Sequence, residues 1–361
     1  MYGIMRCRTG ELGVWVRSCP NGHFAEVNAC SCRERSCPMC APARRMRWLE
    51  GWSQRLLPGM HLHTVLTLPS ELHDVWRHNR RAMARMLFAV ARQTLFTLTD
   101  DARHLGALPG MLMALHTWSR ELSLHPHLHI LVSGGGLDAG GQWKPLTRRD
   151  FLAPVGRLRK LFCRQFLDAL EQAYKRGEVA RPPGWEEAKM RGQIRRLRRI
   201  KWNVRIEPPY RHGRGVTNYL ARYVMGGPIG RSRLLSFDGK EVEFVVGREA
   251  RNPSTRKLEV EEFLRRWFQH VPVRGLHTVR AYGLYASAHG EKREACRAMI
   301  VGEVGEEAAI EATRIEALPA RVDRCPICKL ELVIEEHRGR VPRQHGPPAR
   351  APASLPFPQA A

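Results

Sequence analysis

The sequence predicts an α+β protein: an antiparallel sheet with flanking helices, preceded by a small cysteine-rich domain. Strand-like runs alternate irregularly with helical periodicities, which is typical of an α+β fold and not of a doubly wound sheet. The turn Asp238-Gly239 separates two strand-like runs, Leu234–Phe237 and Glu241–Val246, and predicts an antiparallel hairpin. The segment up to about Arg45 has too few large apolar residues to fold without a stabilising cross-link such as a bound metal ion.

The remaining elements follow from hydrophobic periodicity and from turn residues. Further strands are predicted over 61–69, Pro109–Trp118, Leu128–Val132, Trp202–Ile206 and His277–Gly283. Helices are predicted over Glu71–Leu98, Val155–Tyr174, Gly215–Met225 and Val260–Val271. Gly134–Gly136 predicts a turn, and Pro208-Pro209 predicts the end of a strand. The Pro- and Ala-rich residues from Val341 onward are predicted to be disordered.

The chain is strongly basic: its 361 residues include 59 Lys and Arg against 35 Asp and Glu, a formal net charge of +24. Such an excess attracts polyanions, and it favours a nucleic-acid partner over a role in solubility alone or on the ribosome. No apolar run approaches the roughly 20 residues of a membrane span, and no signal-peptide pattern opens the chain. We therefore expect a soluble, cytoplasmic protein.

Cysteine is concentrated near the two ends of the chain. Six of the ten cysteines lie in the first forty residues: Cys7, Cys19, Cys30, Cys32, Cys37 and Cys40. In a reducing compartment such clustering indicates metal ligation rather than disulfides. Cys37 and Cys40 supply a close thiolate pair for structural Zn²⁺, and the remaining ligand places are open to Cys19, His23, Cys30 and Cys32.

A second close pair, Cys325-Pro-Ile-Cys328, lies near the carboxy terminus. The sequence indicates no second ligand pair for it, and His337 and His345 are its candidate partners. Cys163 and Cys296 stand alone in helical patterns and are interpreted as ordinary buried thiols.

The run His125-Pro-His127-Leu-His129 predicts a metal site. Side chains alternate between the faces of a strand, so His127 and His129 point the same way and can chelate one divalent ion. A histidine pair leaves positions open for phosphate oxygens, as a nuclease metal requires. The third ligand stays open between His125, His116 and Glu121. His61-Leu-His63 has the same pattern and is assigned a structural role.

Two tyrosines, Tyr219 and Tyr223, are spaced to stack on one face of a short helix. A phenol with a pKa near 10 is a poor nucleophile until a cation favours the phenolate, and Arg222 or a nearby metal can provide that charge. The alternative interpretation is that the two rings only pack.

Residues 189–205 carry eight Lys and Arg residues and no acidic one. We expect this run to follow a DNA backbone close to the active site and Trp202 to stack on an unpaired base. The arginines concerned are Arg195, Arg196, Arg198 and Arg199. The alternative is a solvated helix face followed by a core tryptophan.

Together these residues resemble the HUH endonucleases (histidine, hydrophobic residue, histidine), and more narrowly the rolling-circle transposases of the insertion-sequence ninety-one family. HPHLHILVSGGGL (125–137) resembles the family's metal-binding strand and the turn after it. YLARYVMGGPIGRSRLL (219–235) resembles its catalytic tyrosine segment, and EFLRRWFQHVPVRGLHTVRAYGLYA (262–286) resembles the block that closes its catalytic domain. CPNGHFAEVNACSCRERSCPMC (19–40) resembles its amino-terminal zinc domain.

The resemblance implies a transposase that nicks and joins single-stranded DNA at transposon ends and targets. One of the two tyrosines attacks phosphorus, forms a 5′-phosphotyrosine and frees a 3′-OH, with Mg²⁺ or Mn²⁺ at the histidine pair. The covalent link conserves the energy of the broken bond, so no nucleotide cofactor is expected, and the chain has no phosphate-loop motif. The implied location is the bacterial cytoplasm, on the nucleoid through DNA.

The implied organisation has four parts: a zinc-binding domain over 1–50, a catalytic domain over 51–300, a helical and CxxC-bearing extension over 301–340, and a tail over 341–361. Two other functions fit the same residues. One is a zinc-dependent DNA-binding regulator whose tyrosines only pack. The other is a metal-dependent phosphodiesterase that uses water as its nucleophile.

Overall fold

Strands and helices alternate along the computed structural model, which describes residues 2–33, 37–40, 48, 51–52, 54–146, 153–210, 227–247, 254–313 and 324–337. The strands are β1 (Val14–Ser18), β2 (Ala25–Ala29), β3 (His61–Thr67), β4 (Leu108–Trp118), β5 (Leu124–Leu137), β6 (Trp143–Pro145), β7 (Val204–Tyr210), β8 (Leu234–Phe237), β9 (Glu241–Val245), β10 (Thr255–Glu259), β11 (Val279–Gly283) and β12 (Val333–His337). The α-helices are α1 (Tyr2–Met5), α2 (His73–His78), α3 (Arg80–Thr99), α4 (Val155–Lys175), α5 (Glu187–Leu197), α6 (Val260–Phe268), α7 (Gly290–Val304) and α8 (Glu306–Thr313).

The central feature is a six-stranded sheet in the order β11-β4-β5-β3-β7, with β6 on the end of β5. Each neighbouring pair is antiparallel. This arrangement confirms the predicted α+β class and places the long strand β5 inside the sheet, flanked by β4 and β3.

The two faces of this sheet bury different side chains, because residues alternate along each strand. On β5, Leu128, Ile130 and Val132 point into the main core, which also contains residues of α3 and α4. We call this side the helical face. Burial of each large apolar side chain contributes about 1.5–3 kcal/mol.

The opposite side, which we call the histidine face, carries Leu131 together with His127 and His129. Leu131 belongs to a second core that contains Trp52, Tyr285 and residues of α7. This second core covers one end of the histidine face. His127 and His129 lie beyond it, toward the start of β5.

Three sequence predictions need correction. The predicted helix over Glu71–Leu98 is divided at Asn79, whose backbone leaves the helical conformation and whose amide group donates to the carbonyl oxygens of Val75 and Ala180. Gly134–Gly136 does not form a turn but continues β5. Glycine is needed there because the Trp143 ring lies so close to the backbone of Gly135 that no side chain would fit.

The third correction concerns Pro208-Pro209, which does not end its strand: β7 continues through it to Tyr210. Proline is tolerated there because β7 is the edge of the sheet and its pairing with β3 is irregular between His61 and His63. The hairpin at Asp238-Gly239 is confirmed, and β10 adds a third strand to it.

The described residues of the segments 1–34 and 320–361 form one compact unit, and those of 35–319 form another. In the first unit β1 pairs with β2 and with β12, so that strands from both ends of the chain share one sheet. None of the described helices is both long and apolar enough to cross a membrane.

Candidate functional site

Three histidines converge on the part of the histidine face that lies beyond the second core. His127 and His129 lie on β5, and His116 lies directly opposite His127 on β4. One ring nitrogen from each residue lies within 4.8 Å of the others, and the Nε2 atoms of His127 and His129 are 3.1 Å apart. The predicted pair is therefore brought together, and the structure selects His116 as the third member.

The other two candidates for the third ligand lie outside this cluster. Glu121 forms an ion pair with Arg256. The His125 ring lies beside that of His127, with 4.9 Å between ring centroids, but its nitrogens are not among the convergent atoms.

Hydrogen bonds hold the two strand histidines in a ligand-like orientation. His127 Nδ1 donates to the backbone carbonyl oxygen of His125 at 2.6 Å, which leaves the lone pair of a neutral ring on Nε2. His129 Nδ1 lies 2.9 Å from His63 Nε2, and its own Nε2 faces His127. Metal-binding histidines commonly donate through their second ring nitrogen in this way.

Burial keeps the rings of His127 and His129 neutral. His116, His127 and His129 are each less than 10% exposed. Desolvation lowers the pKa of His127 to about 3 and the pKa of His129 well below its ordinary value, and nearby positive charge lowers both further. Neutral imidazole is the form that binds a metal ion, so the donor set suits a divalent cation.

An aromatic ring and a cation border the cluster. Trp118 stacks on His116 with 4.3 Å between ring centroids. Arg205 lies on β7 and alternates with Val204 and Ile206, which face the main core, so it points to the histidine face. Its charge acts on the rings of the cluster, and its side chain is 62% exposed.

The basic run divides between the two faces of the sheet. Arg195 and Arg196 belong to α5, whose buried residues Met190, Ile194 and Leu197 join the core on the helical face. The arginines that were predicted to lie close to the active site are therefore on or just after a helix that packs on the opposite face.

Trp202 is a core residue. It is 1% exposed, packs edge-on against Phe162 and Phe166, and donates its indole N–H to the Leu197 carbonyl oxygen at 3.1 Å. No ring face is free for a nucleobase, so the predicted stacking role is wrong.

Tyr219, Arg222 and Tyr223 lie outside the described residues, as do the predicted helix Gly215–Met225 and the tail from Val341. Their roles remain predictions from the sequence.

The predicted zinc ligands Cys19 and His23 lie in the unit formed by the described residues of 1–34 and 320–361, where they group with Cys325 and Cys328. These four ligand atoms lie within 4.8 Å of one another, and Cys30 is not among them. Cys32 belongs to the same unit, whereas the predicted thiolate pair Cys37 and Cys40 belongs to the unit 35–319.

Comparison with known proteins matches both parts of the chain. The profile of a family described as "Putative transposase" matches residues 110–293, and that of a "Transposase zinc-binding domain" matches residues 1–68. The "Putative transposase y4qJ" of Sinorhizobium fredii is 33% identical over 342 residues, covering 91% of this chain and 86% of the relative. The "Transposase for insertion sequence element IS801" of Pseudomonas savastanoi pv. phaseolicola is 30% identical over 295 residues, covering 79% and 69%.

Proposed function

Because the chain belongs to the IS91 family of transposases, we propose that it nicks and joins single-stranded DNA at transposon ends through a 5′-phosphotyrosine intermediate. The observation that carries this proposal is the convergence of His116, His127 and His129 on one face of the sheet. DNA is the partner of a transposase, and the net charge of +24 supports association with the nucleoid through DNA.

The residues of the cluster fit a divalent ion. A cation bound there would supply Lewis acidity to the scissile phosphate. Three imidazoles and no carboxylate form the described donor set, and nitrogen donors favour Mn²⁺ over Mg²⁺, which prefers oxygen. The His125 carbonyl and His63 hold the two strand rings in place.

We assign the nucleophile to Tyr219 or Tyr223. The phenol loses its proton to solvent, its oxygen bonds to phosphorus, and the bond from phosphorus to the 3′ oxygen breaks. That oxygen takes up a proton and leaves as a 3′-OH. Two tyrosines suit a reaction with two cleavages, because one can hold the first 5′ end while the other attacks the second site.

The decisive experiment incubates the full chain with end-labelled single-stranded DNA and Mn²⁺, denatures it, and looks for a protein-linked fragment. We expect an adduct from the wild type and from Tyr174→Phe, a matched control on α4. We expect none from Tyr219→Phe combined with Tyr223→Phe, because this change removes only the two oxygens.

Three results would contradict the proposal. Hydrolysis of DNA without an adduct would indicate a phosphodiesterase with a water nucleophile, and binding without cleavage would indicate a regulator. An adduct that persists in the double Phe variant would place the nucleophile elsewhere.

The metal site has its own test. His127→Ala combined with His129→Ala removes two of three ligands, so we expect loss of Mn²⁺ binding and of cleavage. Zinc bound by thiolates should be unchanged, because those ligands are different residues. Calorimetric Mn²⁺ titration beside the cleavage assay measures both, and undiminished Mn²⁺ affinity would exclude this cluster as the site.

A further inference from the structure

The carboxy-terminal pair Cys325 and Cys328 lies on a tight hairpin. The Cys325 amide donates to the Leu330 carbonyl at 2.8 Å, and the Lys329 amide donates to the Cys325 carbonyl at 2.9 Å. Lys329 adopts a left-handed conformation with a φ of 61°. This compact turn brings both thiols to one side of the hairpin.

A second tight turn presents Cys19 and His23. The Cys19 amide donates to the Phe24 carbonyl, and the Gly22 amide donates to the Cys19 carbonyl, both at 2.8 Å. Gly22 has a φ of 72°, which favours glycine. The turn follows β1 directly and leads into β2.

The two turns meet although 309 positions separate Cys19 from Cys328. The Sγ atoms of these two residues are 3.4 Å apart, and Cys19 Sγ lies 4.0 Å from His23 Nδ1. All four ligand atoms lie within 4.8 Å of one another. Pairing of β12 with β1 holds the two segments side by side.

We propose that Cys19, His23, Cys325 and Cys328 bind a structural zinc ion, and that the zinc-binding domain is therefore a composite of both ends of the chain. Three thiolates and one imidazole are a complete tetrahedral set for Zn²⁺. Soft sulfur donors without any oxygen exclude Mg²⁺ and Ca²⁺. The segment 1–68 that matches the family profile contains only two of these four ligands.

The small core around this site explains why the unit needs the ion. The described residues buried there are Cys19, Cys325 and Leu332, with Phe24 and Cys328 packed against them. Two of the three buried residues are themselves ligands. So little apolar burial does not offset the entropy of ordering two distant segments, whereas metal binding can.

The first measurement counts zinc in the full chain by mass spectrometry, with His127→Ala and His129→Ala present so that the histidine cluster binds none. We expect Cys325→Ser with Cys328→Ser to lower the zinc content by one ion per chain. The control Cys163→Ser should leave it unchanged, because this thiol is not among the four ligands, and Cys328→His should also leave it unchanged, because imidazole ligates zinc. An undiminished zinc content in the double Ser variant would overturn the proposal.

The second measurement does not depend on whether a variant folds. Alkylation of the zinc-loaded protein, followed by peptide mass spectrometry, should find Cys19, Cys325 and Cys328 protected together. A chelator should make all three reactive together. Modification of Cys325 and Cys328 while Cys19 stays protected would overturn the proposal. Neither measurement depends on the tyrosine mechanism, so the two proposals fail separately.

Discussion

His63 contacts one member of the histidine cluster, His129, on the side of that ring away from the other two histidines. Its Nε2 lies 2.9 Å from Nδ1 of His129, and its Nδ1 lies 3.4 Å from the Tyr210 hydroxyl. Burial lowers the pKa of His63 to about 4, with Arg205 adding to the effect, so the ring is neutral and can accept a hydrogen bond from His129. In the proposed metal site, His63 is therefore expected to position the ligand His129.

We expect His63→Ala to weaken Mn²⁺ binding about 10- to 100-fold, the usual cost of losing such a partner. His63→Gln should restore part of the affinity, because its amide oxygen can accept the same hydrogen bond. His61→Ala is the matched control: it lies on the same strand and face, but its ring contacts Tyr285. Calorimetry gives the affinity and urea unfolding gives the stability. Equal loss of Mn²⁺ affinity in both Ala variants would show that His63 acts only through stability.

The sequence was sufficient to predict that His127 and His129 lie side by side on one face of the sheet, because side chains alternate between the two faces along a strand. It was not sufficient to choose His116 or to recognise His63, because both choices depend on the register of β5 with its two neighbours. Trp202 was misinterpreted for a related reason: a tryptophan beside arginines has the same pattern whether it faces the core or solvent.

At the scale of elements, the glycines of β5 allow β6 to pair closely. A Cβ on Gly135 would lie 2.4 Å from Trp143 Cζ2 and 2.7 Å from the Lys144 carbonyl oxygen. We expect Gly135→Ala to destabilise the protein by about 1–3 kcal/mol, as overpacking does. Gly140→Ala is the control, since its Cβ would meet only Asp138 Oδ1 at 3.4 Å. Urea unfolding measures both, and equal stabilities would contradict the close approach.

The strand β7 and the helix α5 should contribute differently to DNA binding. Arg205 lies on the histidine face, is largely exposed and has one loose ion pair, with Glu207 at 3.8 Å. Arg196 pairs more closely with Glu71 at 3.3 Å, and Arg198 pairs with both Asp168 and Glu171, at 2.8 and 3.3 Å. A cation held closely by carboxylates releases fewer counterions from DNA.

We therefore expect Arg205→Gln to lower the salt slope of single-stranded DNA binding by about 0.7, the value for one phosphate contact. Replacing Arg195, Arg196, Arg198 and Arg199 together by Gln should lower the slope by less than four times this value, because some of these arginines are already paired with carboxylates. Affinities measured over a range of salt concentrations test both. An unchanged slope in Arg205→Gln would remove this residue from the DNA-binding surface.

The strands of the main sheet could be predicted from the sequence because each has its own local pattern. The errors at Gly134–Gly136 and Pro208-Pro209 arise because glycine and proline have the same local signal in turns, close approaches and edge strands. Which of these applies depends on the neighbouring strand, and no local pattern specifies that strand.

At the scale of the whole molecule, the association of Cys19 with Cys328 shows the limit of local patterns most clearly. Each turn has a recognisable ligand spacing, but nothing in either segment indicates a partner 309 positions away. The zinc-binding domain predicted from the sequence is confirmed by the family profile, but local patterns could not bring Cys19 and His23 together with Cys325 and Cys328.

The buried histidines make the stability of the fold depend on pH. His270 is 2% exposed, donates from Nε2 to the Leu122 carbonyl and faces the Thr117 hydroxyl with Nδ1. Desolvation, with a smaller effect of Arg80, lowers its pKa from 6.5 to about 4. Between these values the unfolded chain binds more protons than the folded one, so stability falls as pH falls. The contribution of His270 is fully present above pH 6.5.

We expect His270→Gln to reduce this dependence, because glutamine keeps a donor for Leu122 but does not titrate. As the pH falls from 6 to 4.5, the free energy of unfolding should decrease more steeply in the wild type than in His270→Gln. The difference between the two slopes should be about 1.4 kcal/mol per pH unit, the value for one proton. Urea unfolding of both proteins across this range gives the two curves. Loss of zinc on acidification affects both alike and cancels in the difference. Parallel curves would mean that His270 titrates equally in the folded and unfolded chains, and that its burial has no energetic consequence.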